Sequence, residues 1–232
     1  HFEQVFTVCD MAGYAKRQNL EHLPFGTVNG PDGKPFKTRS GDTMSLQGLI
    51  DLGLQKSSEI ANSETQNSSE IANVAMAAIK YQDLKNGRAS DYIFDVDNFT
   101  STEGKTGPYL QYAVVRINSI LQKIGDDNEN ISLDKIVVDS KNARDLVLLL
   151  AQWTEILQNS YHKRDASVIA EYAYNLAKTF SSFYENCPVI NEQDKSLQNS
   201  RIQIIKHTRY VLRDRALKML GIGSPTQMHK KK

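Results

Sequence analysis

A short loop near the front of the chain concentrates basic side chains on backbone rich in glycine and proline. Residues 30–41, GPDGKPFKTRSG, carry Lys34, Lys37 and Arg39 between glycines and two prolines. Glycine and proline interrupt regular structure, so this segment is predicted to be an exposed, mobile loop. Its cations make it the first candidate site, although composition alone is equally compatible with a solvated turn.

A second group of basic residues lies near the end of the chain, in what is predicted to be the last helix. Within it, Lys206, Arg209 and Arg213 fall in one helical sector, away from an apolar stripe. Such a sector could bind the phosphates of a nucleic acid, or it could be an ordinary solvated face. The formal net charge of +1 gives no domain-wide basic signature to decide between them.

Residues 91–116 join two kinds of pattern. Residues 92–97 alternate large β-formers with polar residues, which predicts a half-buried strand, and Pro108 then suits the first turn of a helix. In that helix Tyr109 and Ala113 lie one turn apart, so a ring stands beside a small side chain, where an unstacked base could fit. The residues alone favour the alternative that the tyrosines of this helix are core.

Other kinds of site find little support in the sequence. Cys9 and Cys187 lie in different halves of the chain, which favours free thiols of a cytosolic protein over a disulfide. The isolated histidines lack partners at ligand or triad spacing. Asp91, Asp95 and Asp97 have no glycine-bearing calcium loop, so we interpret them as surface and capping groups and predict no metal site. No apolar run is long enough to span a membrane.

The remaining pattern predicts a mainly α-helical protein. Residues 1–14 form a predicted helix, residues 20–28 a predicted strand, and further helices begin near Ser45 and Ser68. Beyond Pro108 four or more helices are expected. Two apolar stripes indicate a bundle that buries both of them, with Trp153 in its core. The stripes are Leu146, Leu149, Leu150, Trp153, Ile156 and Leu157, and Ile169, Tyr172, Ala173, Leu176, Phe180 and Phe183.

Several stretches carry a family resemblance, in the family's order and at roughly its spacing. These are DGKPFKTRSGDT, KYQDLKNGRASDYIFDVDNF, GKTGPYLQYA, FYENCPVI and LGIGSPTQM. Together they resemble the C-terminal part of bacterial-style arginyl-tRNA synthetases, which are class I enzymes. The resemblance implies two units. Residues 1–104 would be the C-terminal remainder of an α/β nucleotide-binding catalytic domain, and residues 105–232 an α-helical anticodon-binding bundle of the DALR type with a basic tail.

The resemblance also implies roles for particular residues. Lys37, Thr38 and Arg39 would be the catalytic loop that closes over ATP, with Lys34 and Lys37 on its phosphates, and we expect Lys37 to matter most. Four residues would contact the anticodon, namely Tyr109, Ala113, Tyr184 and Met228. The sector of Lys206, Arg209 and Arg213 would contact the tRNA backbone. Arginine tRNA, arginine and Mg-bound ATP are the implied partners of the full-length enzyme, which would be cytoplasmic, with no DNA or membrane partner.

The chain starts at His1 and contains no HIGH-like motif, so we expect a fragment that binds the tRNA anticodon region, does not make arginyl-adenylate by itself and holds no ATP. A stand-alone, non-catalytic tRNA-binding module is the alternative. A helical interaction protein without RNA binding is a second alternative, which salt-dependent affinity for tRNA would exclude.

Overall fold

The computed structural model describes residues 1–35, 45–60, 68–125, 130, 136–226 and 228. Helices dominate this part of the chain, which confirms the predicted mainly α class. They are α1 (Phe2–Met11), α2 (Leu46–Ile60), α3 (Ser68–Leu84), α4 (Gly107–Ile124), α5 (Lys141–Ala151), α6 (Trp153–Lys163), α7 (Ser167–Asn186) and α8 (Lys195–Arg209). A 3-10 turn spans Arg17–Asn19, and α8 continues as a π-helical segment, Tyr210–Leu217. Within the described ranges, none of these helices could cross a membrane.

Two short parallel strands join the segments before α2 and after α3. Strand β1 (Val28–Asn29) pairs with β2 (Tyr92–Ile93), with Val28 opposite Tyr92. Asp91 fixes this pairing, because its Oδ1 accepts hydrogen bonds from the backbone N–H and the hydroxyl of Thr27 at 2.6 and 2.8 Å. Both predicted strands were too long, because β1 and β2 each span only two residues. Of the predicted residues 20–28 only Val28 is in a strand, although Thr27 before it accepts a hydrogen bond from the Tyr92 N–H at 3.1 Å.

Helix α4 begins as its sequence predicts, one residue before Pro108. The Thr106 hydroxyl caps it by accepting a hydrogen bond from the Tyr109 N–H at 3.2 Å, and Pro108 occupies the first turn. Gly125 ends the helix in the left-handed conformation, at φ 73°. The buried face of α4 includes Leu110, Val114, Ile117 and Leu121, so the helix lies inside the bundle.

The main core lies among α4, α5, α7, α8 and the π-helical segment. The second predicted stripe is buried throughout, and Leu146 and Leu150 bury the inner part of the first. Trp153 packs against the edge of this core, with its ring centroid 5.5 Å from that of Tyr172. A smaller cluster, Ala78, Ile79, Phe94 and Phe99, holds the β2 region against α3. Since Ala77 and Tyr81 of α3 belong to the main core, α3 contributes to both clusters.

Helices α3 and α4 approach so closely at Gly107 that no side chain fits there. A Cβ atom on Gly107 would lie 2.1 Å from the carbonyl oxygen of Ala77 and 2.4 Å from its carbonyl carbon. Both are backbone atoms of a buried helix and cannot rotate away. The absence of a side chain at this position therefore sets the spacing of the two helices.

We expect Gly107→Ala to lower the free energy of unfolding by about 1–3 kcal/mol, because the added methyl group must push α3 and α4 apart. Urea denaturation followed by circular dichroism measures this. Gly87→Ala is the matched control, since its Cβ would meet only the Ser90 hydroxyl at 3.3 Å and the Asp165 carboxylate at 3.7 Å. Equal stability losses in the two variants would contradict the close-approach argument.

Candidate nucleic-acid interface

A cleft lined by two tyrosines opens between α4, the end of α7 and the end of the chain. Its volume is about 370 Å³. We call it the tyrosine cleft, and it is lined by Tyr112, Val115, Arg116, Ser119, Ile120, Lys123, Tyr184, Ile190 and Met228. Aromatic, cationic and apolar groups thus line one opening. Such a surface can accept a flat ring with a negative charge close to it.

Arg116 lies between the two tyrosine rings of this cleft. Its Cζ is 4.9 Å from the Tyr112 ring centroid and 5.5 Å from that of Tyr184, and its Nη2 donates a hydrogen bond to the Tyr112 hydroxyl at 3.4 Å. Both distances allow cation–π attraction. Tyr112 and Arg116 are one helical turn apart on α4, so the regular helix places them side by side.

Tyr184 is presented by the last turn of α7 and backed by the core. Its ring stacks on that of the fully buried Phe180, with centroids 6.3 Å apart at an interplanar angle of 27°. Over a third of Tyr184 stays exposed, at 37%. The ring is therefore fixed on one side and open on the other, as a stacking platform requires.

The four residues expected at an anticodon site do not all meet. Tyr184 and Met228 line the tyrosine cleft, but Tyr109 and Ala113 do not. Ala113 is only 3% exposed, and the Tyr109 ring lies against Tyr174, with centroids 5.7 Å apart. Tyr174 precedes Tyr184 on α7 by ten residues, or about 15 Å of helix. At Tyr109 and Ala113, α4 packs against α7, so these two residues do not contribute to the tyrosine cleft.

Tyr112 and Arg116 are among the α4 residues that line the tyrosine cleft. The sequence pattern placed Tyr112 on an inward helical face and gave Arg116 no role. Their signal is the spacing of four between an aromatic and a cation, which is compatible with a pair on a helix surface. That signal is weak by itself, because the same spacing occurs on many solvated helices.

The basic sector of α8 does not face solvent as the sequence pattern suggested. Lys206 is 2% exposed and Arg209 is 5% exposed. Lys206 Nζ donates to the Asn130 carbonyl at 3.3 Å, and Arg209 Nη1 donates to Asn118 Oδ1 at 3.4 Å. α8 packs against α4, α5 and α7, so little of its circumference is left for a ligand. Lys206 and Arg209 therefore do not form an exposed track for phosphates in this structure.

The third member of that sector, Arg213, is more accessible. Its side chain is 27% exposed and forms an ion pair with the neighbouring Asp214 at 2.8 Å. On α8, burial also lowers the pKa of the His207 imidazole, which favours its neutral form. The three cations of the predicted sector are thus buried or ion-paired.

The glycine-rich basic loop is described only at its start. Lys34 is exposed in a tight turn, where its N–H contacts Asp32 Oδ1 at 3.1 Å and its carbonyl oxygen accepts from the Gly30 N–H at 2.9 Å. Lys37, Thr38 and Arg39 lie outside the described residues, as does the basic tail at 229–232. In the part that is described, no group of three or more His, Cys, Asp or Glu residues could hold a metal ion.

Two protein-family models match separate parts of the chain. Residues 1–96 match the model of the class I arginyl-tRNA synthetase catalytic domain, and residues 110–228 match that of the DALR anticodon binding domain. The chain belongs to the arginyl-tRNA synthetase family. The fold and the family implied by the sequence resemblance are thereby confirmed, and the whole tyrosine cleft falls within the anticodon-binding match.

Individual relatives give the same assignment and show how much of them is present. The chain is 39% identical to an arginine–tRNA ligase of Maricaulis maris and 42% identical to one of Francisella tularensis; each alignment covers 98% of this chain and 40% of the relative. Arginyl-tRNA synthetase structures from Thermus thermophilus and Plasmodium falciparum superpose with TM-scores of 0.82 and 0.78, at 25% and 28% identity, over 97% and 98% of this chain and 38% and 39% of theirs. The chain corresponds to the C-terminal part of these synthetases.

The burial of the basic sector predicts that Arg209 supports the fold. We expect Arg209→Ala to lower the free energy of unfolding by about 1–3 kcal/mol, because it removes a buried hydrogen-bonding group and leaves its acceptors unsatisfied. Arg213→Ala, in the same helical sector, should lower it by about 0.5 kcal/mol or less, because an ion pair that is partly open to solvent contributes little. Thermal unfolding compares the two. A larger loss of stability for Arg213→Ala than for Arg209→Ala would contradict a structural role for Arg209.

Proposed function

We propose that this chain binds the anticodon loop of an arginine tRNA in the tyrosine cleft, as the C-terminal part of an arginine–tRNA ligase. The observation that carries the proposal is the convergence of Tyr112, Arg116, Tyr184 and Met228 on one opening. The family assignment supplies the class of ligand. The chemistry of the cleft supports where that ligand would bind.

Bases of an RNA loop are unpaired and can be stacked on protein side chains. Tyr184 offers a partly exposed ring, and Arg116 adds a planar cation held against Tyr112. Such rings and guanidinium planes are the usual partners of splayed bases. Met228 supplies a flexible apolar wall that adapts to the shape of a base. One unstacked base of the anticodon is thus the natural occupant of the cleft.

Charge at the cleft suits the phosphates that flank such a base. Arg116 and Lys123 are both on α4 and both line the opening. Each phosphate contact releases bound counterions, so these two cations would make binding salt-dependent. The buried cations of α8 are not part of this surface. Phosphate contacts near the cleft are therefore assigned to α4.

The reaction of the complete enzyme belongs to the same proposal. Arginine would be activated by Mg-bound ATP and passed to the tRNA, in a cytoplasmic enzyme whose catalytic domain includes residues 1–96 of this chain. Lys34, Lys37, Thr38 and Arg39 lie within that family match, and their types suit the task of stabilising charge that builds up on pyrophosphate. This chain, which spans about 40% of its relatives, would contribute the anticodon end of the assembly.

Stacking in the cleft gives a direct binding test. Tyr184→Ala should weaken binding of an arginine tRNA transcript about tenfold, since one base–aromatic stack is worth about 1–3 kcal/mol. Its salt dependence should hardly change, because no phosphate contact is removed. Arg116→Ala should weaken binding and also flatten the plot of log affinity against log salt concentration. Fluorescence anisotropy at several salt concentrations measures both effects.

Tyr161→Ala is the matched control for these variants. Tyr161 is 64% exposed on α6 and also contacts an arginine, with Arg164 Cζ 4.3 Å from its ring centroid, but it lies outside the cleft. It should bind tRNA as the wild type does. Wild-type affinity in a folded Tyr184→Ala variant would remove the cleft from the binding surface, whereas equal losses in all three variants would show nonspecific damage.

The basic loop gives a separate test in an enzyme that carries the whole catalytic domain. There, Lys37→Ala should lower the kcat of ATP–pyrophosphate exchange while leaving tRNA affinity unchanged, because the loop acts on charge that develops in the transition state. Lys34→Ala, three residues earlier in the same loop, should have a smaller effect. A wild-type rate of exchange in the Lys37→Ala enzyme would show that Lys37 has no catalytic role and that this loop is an ordinary solvated turn.

A further inference from the structure

The segment that leads to Met228 is held against α3 and α4 by a set of polar contacts. We call residues 220–226 the C-terminal strap. Leu220 and Ile222 anchor it in the main core, and Gly221 turns the chain out of the helix at φ 64°. The Ile222 N–H closes this turn on the Leu217 carbonyl at 2.9 Å. The path beyond this turn determines where Met228 lies.

Three side chains from α3 and α4 fix that path. Lys80 Nζ donates a hydrogen bond to the Gly221 carbonyl, and Gln111 Nε2 donates one to the Gly223 carbonyl at 2.6 Å. Further along, the Thr226 hydroxyl donates to Glu70 Oε1. Lys80 and Glu70 are on α3, whereas Gln111 is on α4. The strap is thus tied at three successive points.

Water cannot replace the hydrogen bond from Gln111 to the strap, because Gln111 is buried. The residue is fully buried, and its Nε2 faces three oxygens: that of Gly223 and, more distantly, the carbonyl and side-chain oxygens of Asn73 at 3.4 and 3.3 Å. The reversed amide would point its own oxygen at these acceptors, so the hydrogen-bond pattern fixes its orientation. A buried directional contact of this kind holds the strap in one register.

Gly223 lets the strap lie directly on Asn73. A Cβ atom at this position would be 2.6 Å from Asn73 Oδ1 and 2.9 Å from Asn73 Nδ2. Asn73 belongs to α3, within the catalytic-domain match, while Gln111 and Gly223 belong to the anticodon-binding match. The contact therefore joins the two family regions at the base of the strap.

We propose that the contact among Gln111, Asn73 and Gly223 positions Met228 in the tyrosine cleft and so helps determine which anticodon the cleft accepts. The proposal rests on the proposed function. Gln111 directly precedes Tyr112, so the same turn of α4 supplies one wall of the cleft and fixes the path to another. These three are positioning residues, because none of them lines the cleft itself.

The test compares Gln111→Leu with Tyr172→Phe in this 232-residue chain. Tyr172→Phe is the matched control, because it too removes a buried side-chain donor from a backbone carbonyl, that of Leu149 at 3.1 Å, in the same bundle. The first readout needs no RNA. It is the Met228 methyl resonance in methyl-labelled protein, assigned with Met228→Leu. We expect Gln111→Leu, but not Tyr172→Phe, to move this resonance toward its position in an unfolded chain.

The second readout is discrimination between an arginine tRNA transcript and the same transcript with its anticodon bases replaced. Gln111→Leu should lower the ratio of the two affinities by about tenfold, the size expected for losing one buried hydrogen bond that orders a contact, and Tyr172→Phe should preserve the ratio. Gly223→Ala provides a second route to the same result. It changes an exposed residue outside the core, so it should displace the strap without unfolding the bundle.

The outcomes separate this inference from the proposed function. If the wild type discriminates and Gln111→Leu and Gly223→Ala discriminate equally well, the inference fails and the proposed function stands. A displaced Met228 resonance with unchanged discrimination also overturns it, as does equal damage by Tyr172→Phe. If the wild type does not discriminate between the transcripts, the proposed function fails, and so does the role of Gln111 in anticodon choice. The Met228 methyl resonance still shows whether Gln111 holds the strap in place.

Discussion

The backbone contact between α3 and α4 at Gly107 is the constraint on which the arrangement of the chain depends. Small residues on α3, including Ala77 and Ala78, let α4 lie almost against its backbone. Helices packed this closely resist sliding, because their backbones interlock like the rest of a dense protein core. Since α3 also packs on the β2 region and α4 carries the tyrosine cleft, this contact helps to orient the cleft relative to the residues of the catalytic-domain match.

Features set by local chemistry could be predicted from the sequence, and features set by distant partners could not. The start of α4 follows from Thr106 and Pro108, and the buried stripe of α7 follows from its helical period. In contrast, the extended residues after Asn19 look like a strand by composition. They form almost none, because a ladder depends on a neighbour and not on propensity.

The candidate site shows the same division. Resemblance selected Tyr184 and Met228 from segments far apart in the chain, and both line one cleft. The α4 contribution was harder to predict, because helical periodicity tells which residues share a face and not which neighbour that face meets. Tyr109 meets Tyr174 on α7, whereas Arg116 meets Tyr184. Such a choice depends on the axial alignment of α4 and α7, which tertiary packing sets.

The sequence pattern predicted an exposed basic sector on α8, but Lys206 and Arg209 are buried because residues outside α8 contact them. Arg201, although buried, pairs with Asp139 at 2.7 Å and with Glu192 at 2.6 Å. Counting cations along one helix assumes that they face water, but a buried cation is tolerated when acidic groups and carbonyls surround it. The sequence gives no direct sign of such pairing, since the partners lie 62 and 9 residues from Arg201.

These buried polar contacts give the cleft one defined shape, which apolar packing alone would not specify. Apolar cores accept several arrangements of similar energy, whereas hydrogen bonds and ion pairs are satisfied only in particular geometries. Two parts of the cleft rim depend on such contacts. Gln198 Nε2 donates to the carbonyls of Val189 and Ile190, and Gln111 holds the strap that leads to Met228. The fold is thus stabilised chiefly by apolar packing, while the shape of the cleft is set by a few directional bonds beneath it.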